Sequence, residues 1–378
     1  MSETARSGEY TTSHSLFLAF ELSSAEWELA FSTGLGQSAR RRAMSAGDLT
    51  ALNQEVRAAK RRFGLGDSTD VRSCYEAGRD GFWLHRHLTA VGIENVVVDP
   101  SSVEVSRRAK QTKTDRLDVE KLLNMLMRYH NGEKEVWSVV HVPSVVAEDW
   151  RHLHRELLVL KARQTRHSNR IQGLLATQGL RLSLAPDFPQ RLCDVRLWDG
   201  SALPPGLRRT LEQEYRGLQF VHEQICQLET ERSGLIRTSQ DPCMQKVRQL
   251  LALRGIGENS AWLFVMEFFA WREFRNRREV GALAGLTPTP YASGEQSREQ
   301  GISKSGNRLI RAMAIEIAWG WLRHQPDSIL SQWFEERFGH GSRRMRKVGI
   351  VAVARKLLIS LWQYLETGAI PEGAQLKA

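Results

Sequence analysis

Apolar positions change their period twice along the chain. Residues 15–20 form a short apolar run and residues 26–33 alternate apolar with polar, a pattern that predicts two strands joined through Ser23 and Ser24. The segment 37–43 carries Arg40, Arg41 and Arg42 and reads as a third strand at a sheet edge, where exposed positive charge is tolerated. A helix opening at Ser45 or Asp48 runs through Leu52, Val56 and Ala59 to about Phe63. Next come a strand at 71–76, an amphipathic helix at 80–91 with Phe82, Leu84 and Leu88 as its apolar contacts, and a strand at 95–98 stopped by Asp99-Pro100. Thr114 is placed to cap a further helix that begins at Asp115. Three strands followed by helix, strand, helix, strand and helix is the succession of an α/β RNase H-like domain.

From residue 150 the spacing alternates threes and fours through Trp150, Leu153, Leu157, Leu160, Gln164, His167, Ile171 and Leu174, a heptad seam with two polar positions. Leu218, Val221, Ile225, Leu228, Arg232 and Leu235 repeat it after the Pro-rich interval 185–206. A long antiparallel helical hairpin or an intermolecular coiled coil satisfies this pattern. The histidines along it, His152, His154, His167 and His222, read as surface or seam residues.

The remainder is mainly helical. A helix at 247–253 enters Arg254-Gly-Ile-Gly-Glu258, the turn of a helix-hairpin-helix element, where Gly255 and Gly257 would let backbone N–H groups approach a phosphate. An ordinary Gly-rich turn between packed helices looks the same. Pro288 and Pro290 exclude a regular helix, leaving Ser293-Gly294 in a turn or loop. A final helix spans 348–365. The expected organisation is a disordered tail at 1–14, an RNase H-like domain at 15–135, a coiled-coil region at 145–240, a C-terminal domain at 245–366 and a frayed tail at 367–378.

Composition adds a partner class. The 378 residues hold 53 Lys and Arg against 43 Asp and Glu, a net charge of +10, which points to a polyanion. Lys304, Arg308 and Arg311 beside small and hydroxyl residues suit a phosphate-lined groove, and Arg343 and Arg344 begin a second basic cluster. The four cysteines are far apart and lack C-x-x-C spacing, arguing against zinc sites and disulfides. The first residues carry no apolar core and no run approaches membrane-spanning length, so the expectation is a soluble cytoplasmic protein without a membrane.

The acids carry the candidate chemistry. Asp115 and Asp118 lie one turn apart on a helix start, with Lys113 and Arg116 flanking them where a nucleic-acid phosphate would pass. Alone they read as a solvated helix start, which the macrodipole favours. Glu21 and Glu76 fall at strand ends, however, and open α/β sheets place ligands at the carboxyl ends of their strands. Four converging carboxylates, oxygen donors only, suit Mg²⁺ or Mn²⁺.

Read together, these segments resemble the insertion-sequence-110 family of DEDD transposases, which includes the Piv-type DNA invertases. The acid series Glu21, Glu76, Asp115 and Asp118 carries the resemblance at the N-terminal end. Leu253-Arg-Gly-Ile-Gly257, Phe274, Leu283-Ala-Gly-Leu-Thr-Pro288, Ser293-Gly294 and Gly301-Ile-Ser-Lys-x-Gly-Asn-Arg308 carry it at the C-terminal end, with Asn307 inside the last motif. The resemblance implies a RuvC-like metal-binding domain, a coiled-coil insert and a C-terminal transposase domain acting on double-stranded DNA at element ends and target. It also implies a serine nucleophile, a structured noncoding guide RNA and a homo-oligomer, dimer or tetramer. Ser293 matches the nucleophile's position, with Ser303 and Ser305 as alternatives. The sequence departs from the family at Glu21, where Asp is usual. A metal-dependent junction nuclease using activated water and a catalytically inactive nucleic-acid-binding relative are the competing readings.

Overall fold

A computed structural model describes residues 15–103, 115–293 and 296–377, with the backbone alone at 101, 115–117, 290–293 and 296–300. The expected disordered tail at 1–14, Lys113 and the Thr114 cap lie outside the described residues. The chain divides into two compact units, 1–142 and 143–378.

The first unit is a five-stranded mixed sheet in the order β3-β2-β1-β4-β5, built from β1 (Leu16–Leu22), β2 (Glu26–Ser32), β3 (Arg40–Ser45), β4 (Val71–Glu76) and β5 (Glu94–Val98). Strands β1, β2 and β3 form an antiparallel meander, while β4 and β5 join β1 in parallel. The arginine-bearing β3 is an edge, as its composition predicts. Arg40 reaches Glu55 of α1 (Leu49–Arg62) at 2.5 Å, and Arg41 pairs with Glu120 at 3.3 Å. Asp48 caps α1 by accepting from the Ala51 N–H. Side-chain alternation divides the sheet between two cores. Leu18, Phe20, Leu29, Phe31 and Tyr75 pack with Leu52 and Val56 of α1 and Leu84 and Leu88 of α2 (Trp83–Ala90). Phe17, Ala19, Ala30 and Cys74 pack with Val119, Leu122, Leu123 and Leu126 of α3 (Asp115–His130).

The second unit begins with α4 (Val145–Ala176) and α6 (Pro205–Thr238), which pair in antiparallel sense: Lys161 bonds Glu229 and His167 bonds Glu214, each at 2.7 Å. Leu157, Leu160, Val221 and Ile225 fill the middle of their seam. The two polar seam positions find partners across it, Gln164 with His222 and His167 with Glu214. The Pro-rich interval joins the two long helices. It holds α5 (Phe188–Asp194) and closes a small core of Ile171, Leu175, Phe188, Leu211 and Tyr215 at the end of the hairpin.

The opposite end of the hairpin is rooted among α7 (Pro242–Leu251), α8 (Glu258–Phe264) with a π-helical extension over Val265–Phe269, α9 (Arg277–Leu283), α10 (Arg308–His324), α11 (Ile329–Phe334) and α12 (Arg343–Thr367). Glu267, fully buried on the π turn, accepts from Arg155 Nε at 2.7 Å and Arg151 Nε at 3.2 Å, both on α4. Burial alone would raise its pKa, but the Arg155 hydrogen bond and the two guanidinium charges outweigh that and hold it below the usual carboxylate value. A hairpin β6 (Pro288–Ser293) and β7 (Gln296–Ile302) completes the unit. The end of the chain is tied down rather than frayed: Leu376 bridges Leu253, and the Lys377 N–H donates to the Ala252 carbonyl at 2.7 Å.

His154 of α4 is wholly buried, and among the described residues neither ring nitrogen has a hydrogen-bond partner. Burial, with the nearby Arg232 charge, pushes its pKa down to about 4. An imidazole free in the unfolded chain titrates near 6.5, so the unfolded state binds the extra proton below that pH. Stability is therefore full above pH 6.5 and falls by about 3 kcal/mol as pH drops to about 4. Urea midpoints across that window should show the loss in the parent and a flatter profile in His154→Leu; equal slopes would refute it.

Candidate functional site

Pairing places two of the predicted acids together. In the parallel register of β1 and β4, Phe20 lies beside Tyr75, so Glu21 and Glu76 are the next neighbours, on strands about 4.8 Å apart. Phe20 and Tyr75 face the α1/α2 core, and alternation turns both glutamates to the α3 face. Both are half-buried and line a cleft of about 360 Å³ with Leu22, Ser23, Gly78, Asp80 and Arg79, whose guanidinium lies 3.8 Å from the Asp80 carboxylate. Glu28 of β2 stands directly across from Glu21 on the same face.

Helix α3 points its first turn at this end of the sheet. The His130 ring at its C-terminus lies 5.9 Å from that of Phe17, near the start of β1. Eight residues earlier in the helix, the Leu122 carbonyl accepts from Cys74 Sγ at 3.8 Å, further along the strands. Continuing in that direction brings Asp118, half-buried, and Asp115 toward the carboxyl ends of β1 and β4. The side chains of Asp115 and Arg116 are outside the described residues. Among the described residues no three His, Cys, Asp or Glu side chains come close enough to hold a metal ion. What the structure places is the Glu21/Glu76 pair, whose oxygen donors fit a hard divalent cation. Cys74 lies between the glutamates and the α3 core, and burial followed by the Glu76 charge pushes its thiol far up, so it stays protonated.

In the second unit the predicted motifs meet backbone to backbone. The Lys304 N–H donates to the Gly285 carbonyl at 3.2 Å, the Asn307 N–H to Leu283 at 2.9 Å and the Ser303 N–H to Thr287 at 2.8 Å. A Cβ on Gly306 would stand 2.2 Å from the Leu283 carbonyl oxygen, and one on Gly285 equally close to that of Ser305. Asn307 caps α10, accepting from the Leu309 and Ile310 N–H groups, and Arg311 Nη1 donates to the Ala284 carbonyl at 3.2 Å. The Arg311 bond adds one side-chain tie to a clamp otherwise made of backbone. Lys304 and Arg308 are exposed beside it, and Lys304 has a left-handed φ of 57°. The hairpin β6/β7 rises from the clamp with Ser293 as the last residue of β6, and Gly294 is outside the described residues. Of the alternative serines, Ser303 has a buried hydroxyl without a hydrogen bond, whereas Ser305 is exposed.

The model of the Transposase IS116/IS110/IS902 family matches residues 247–332, which span the Gly-rich turn, the clamp and the hairpin. A putative transposase of Sinorhizobium fredii, y4rJ, is 40% identical over 375 residues, 96% of this chain and 94% of that protein. The chain belongs to the IS116/IS110/IS902 family of transposases. The transposase for insertion sequence element IS1328 of Yersinia enterocolitica is 24% identical over 76% of this chain and 81% of its own length. That for IS1111A of Coxiella burnetii is 26% identical over 74% of each.

The remaining predicted contacts of this transposase separate by exposure. Arg343 and Arg344 open α12 and are exposed together with Arg346 and Lys347, against the helix macrodipole, which disfavours cations there. Gly255, at φ +83°, sits where a Cβ would come 3.2 Å from His324 Cβ, so its lack of a side chain serves close packing on α10. Gly257 is the N-cap of α8, and its N–H donates to Ser260 Oγ. Asp80, in the cleft with Glu21, Glu76 and Arg79, was hidden in the sequence as the start of an amphipathic helix.

Gly306→Ala combines a positive φ of 98° with the carbonyl clash. It should lower the stability of this unit by roughly 2 kcal/mol or more. Urea denaturation checks this; a change within about 0.5 kcal/mol would show that the clamp yields freely.

Proposed function

We propose that this transposase cleaves and exchanges DNA strands at the ends of an insertion sequence, with Glu21, Glu76, Asp115 and Asp118 holding Mg²⁺ or Mn²⁺ and Ser293 as nucleophile. The observation that carries the reading is the pair of glutamates held side by side at the carboxyl ends of adjacent parallel strands. Two neighbouring carboxylates on a half-buried face repel one another, and a cation between or beside them relieves that repulsion. When bound, the ion supplies charge neutralisation on the phosphodiester and its leaving oxygen. The mixed sheet in the order β3-β2-β1-β4-β5, with Glu21 and Glu76 at strand ends, supports reading this unit as a RuvC-like, RNase H-type nuclease domain.

Ser293 is the last residue of β6, in a hairpin that follows directly from the backbone clamp, and this placement beside the clamp supports its reading as the nucleophile. In the proposed step Ser293 Oγ gives up its proton and bonds to phosphorus. The bond to the leaving deoxyribose oxygen breaks, and that oxygen takes up a proton. Attack by a hydroxyl of another strand on the phosphoserine reverses the sequence and completes exchange. Lys304, Arg308, Arg343 and Arg344 supply exposed cations for the DNA backbone. A structured noncoding RNA of the element as guide, and a homo-oligomer that supplies several nucleophiles, follow from the family resemblance.

Purified protein with element-end DNA, candidate noncoding RNA and Mg²⁺ tests the assignment. Ser293→Ala should form no covalent protein–DNA adduct. Glu76→Gln should bind DNA yet cut it roughly 100-fold or more slowly, the scale on which one transition-state-stabilising group acts. Parent-level adduct in Ser293→Ala would overturn the serine, and parent-level cutting by Glu76→Gln would overturn the acidic site.

A further inference from the structure

The turn between α7 and α8 resembles a phosphate-binding hairpin, but its amides are largely committed. The Arg254 N–H donates to the Gln375 carbonyl at 3.1 Å, the Ile256 N–H to Leu253 at 3.3 Å and the Gly257 N–H to Ser260 Oγ at 3.2 Å. The partner of the first is the end of the chain itself. Residues 371–377 form a strap across the turn, fixed by several independent bonds. Gln325, nearly fully buried, donates to the carbonyls of Arg254 and Gln375 at 2.9 and 2.8 Å and accepts from the Gln375 N–H at 2.8 Å. The Ile329 N–H reaches the Glu372 carbonyl, and a Cβ on Gly373 would lie 2.4 Å from the Asp327 carbonyl oxygen.

The strap carries one cation onto the turn and steadies another. Lys377 Nζ donates to the Ile256 carbonyl at 2.7 Å, using one of its three protons. Arg254 Nη1 donates to Gln375 Oε1 at 2.6 Å, leaving the rest of its fork open. Both residues are exposed, and the Glu258 carboxylate, whose charge acts on Lys377, is engaged by the Ser233 hydroxyl at 2.7 Å. We propose that Arg254 and Lys377 form a two-cation clamp for a DNA backbone phosphate, in which the chain's own C-terminal strap replaces the backbone amides that such a turn would otherwise offer. Ordering both side chains before contact removes part of the entropy cost of binding. This rests on the reading of the protein as a DNA-processing transposase.

Fluorescence anisotropy of the full chain with a short duplex, measured over a series of KCl concentrations, tests it. Lys377→Ala and Arg254→Ala should each weaken binding and reduce the slope of log K against log salt, by about 0.9 between them, the value for one phosphate contact. Lys377→Arg should restore the slope, which a packing role alone would not predict. Parent-like slopes in both alanine variants overturn the clamp, and so does tighter binding by Lys377→Ala, which would make the strap a competitor of DNA. Arg308→Ala and Arg343→Ala separate the two levels. If they weaken binding while the clamp variants do not, this inference fails and the wider reading stands. If the parent binds without salt dependence, both fall.

Discussion

The parallel register of β1 against β4 is the constraint on which the first unit depends. Side chains alternate with period two, so a slip of β4 by one residue against β1 would send Tyr75 to the α3 face and Glu76 into the core beneath α1 and α2, and would part Glu76 from Glu21. The core on each face resists that slip. Tyr75 is 1% exposed and Cys74 not at all, on opposite faces of the same strand. The arrangement has an electrostatic cost, since Glu28, Glu21 and Glu76 follow one another across three neighbouring strands on one face. Like charges directly opposite on a sheet destabilise it. Apolar burial on both faces holds them there, as expected where function and stability conflict.

The second unit meets a comparable demand by different means. Its clamp is made of carbonyls and N–H groups rather than side chains, which fixes the base of β6/β7 with little rotamer freedom. Glycine is needed at 285 and 306 because another backbone occupies the Cβ position, and at both the φ is positive. Lys304 adopts a left-handed φ without being glycine, a strain of about 1 kcal/mol or more that its neighbours enforce through the bond to Gly285.

Much of this was legible in the sequence because the first unit obeys a period. Short apolar runs, one alternating stretch and the turn residues that end them located the strands of this unit to within a few residues, and Arg40 to Arg42 marked the edge. The heptad spacing found both long helices. Local pattern was blind to long-range backbone pairing. Asn307 and Arg311 read as nucleic-acid contacts, and no local pattern announced that Asn307 also caps α10 or that Arg311 also donates to the Ala284 carbonyl. Gly255 read as a phosphate approach and packs on α10. The polar residues of the last segment read as frayed because their partners, Ala252, Arg254 and Gln325, lie at least 50 residues away. Asp115 and the Ser293 side chain fall where geometry is undescribed, so their assignment still rests on motif.

The root of the helical hairpin shows how a costly group can be informative. A fully buried carboxylate is expensive unless paired, and Glu267 is paired with two guanidinium groups of α4. Arg151 also stacks over Trp271, 4.9 Å from its ring centroid, so its charge is held from both sides. An apolar residue at 267 would bury the same space without fixing the turn-by-turn register of α4, because leucine-on-leucine contact tolerates sliding. A bidentate acceptor that must face Arg151 and Arg155 together tolerates none, since a shift of one residue moves both partners about 100° around the helix. The π turn that carries Glu267 lets Val265 through Phe269 all remain buried while the carboxylate meets α4. The hairpin thus leaves the C-terminal helices in a direction set by charge geometry, and apolar packing only supports it.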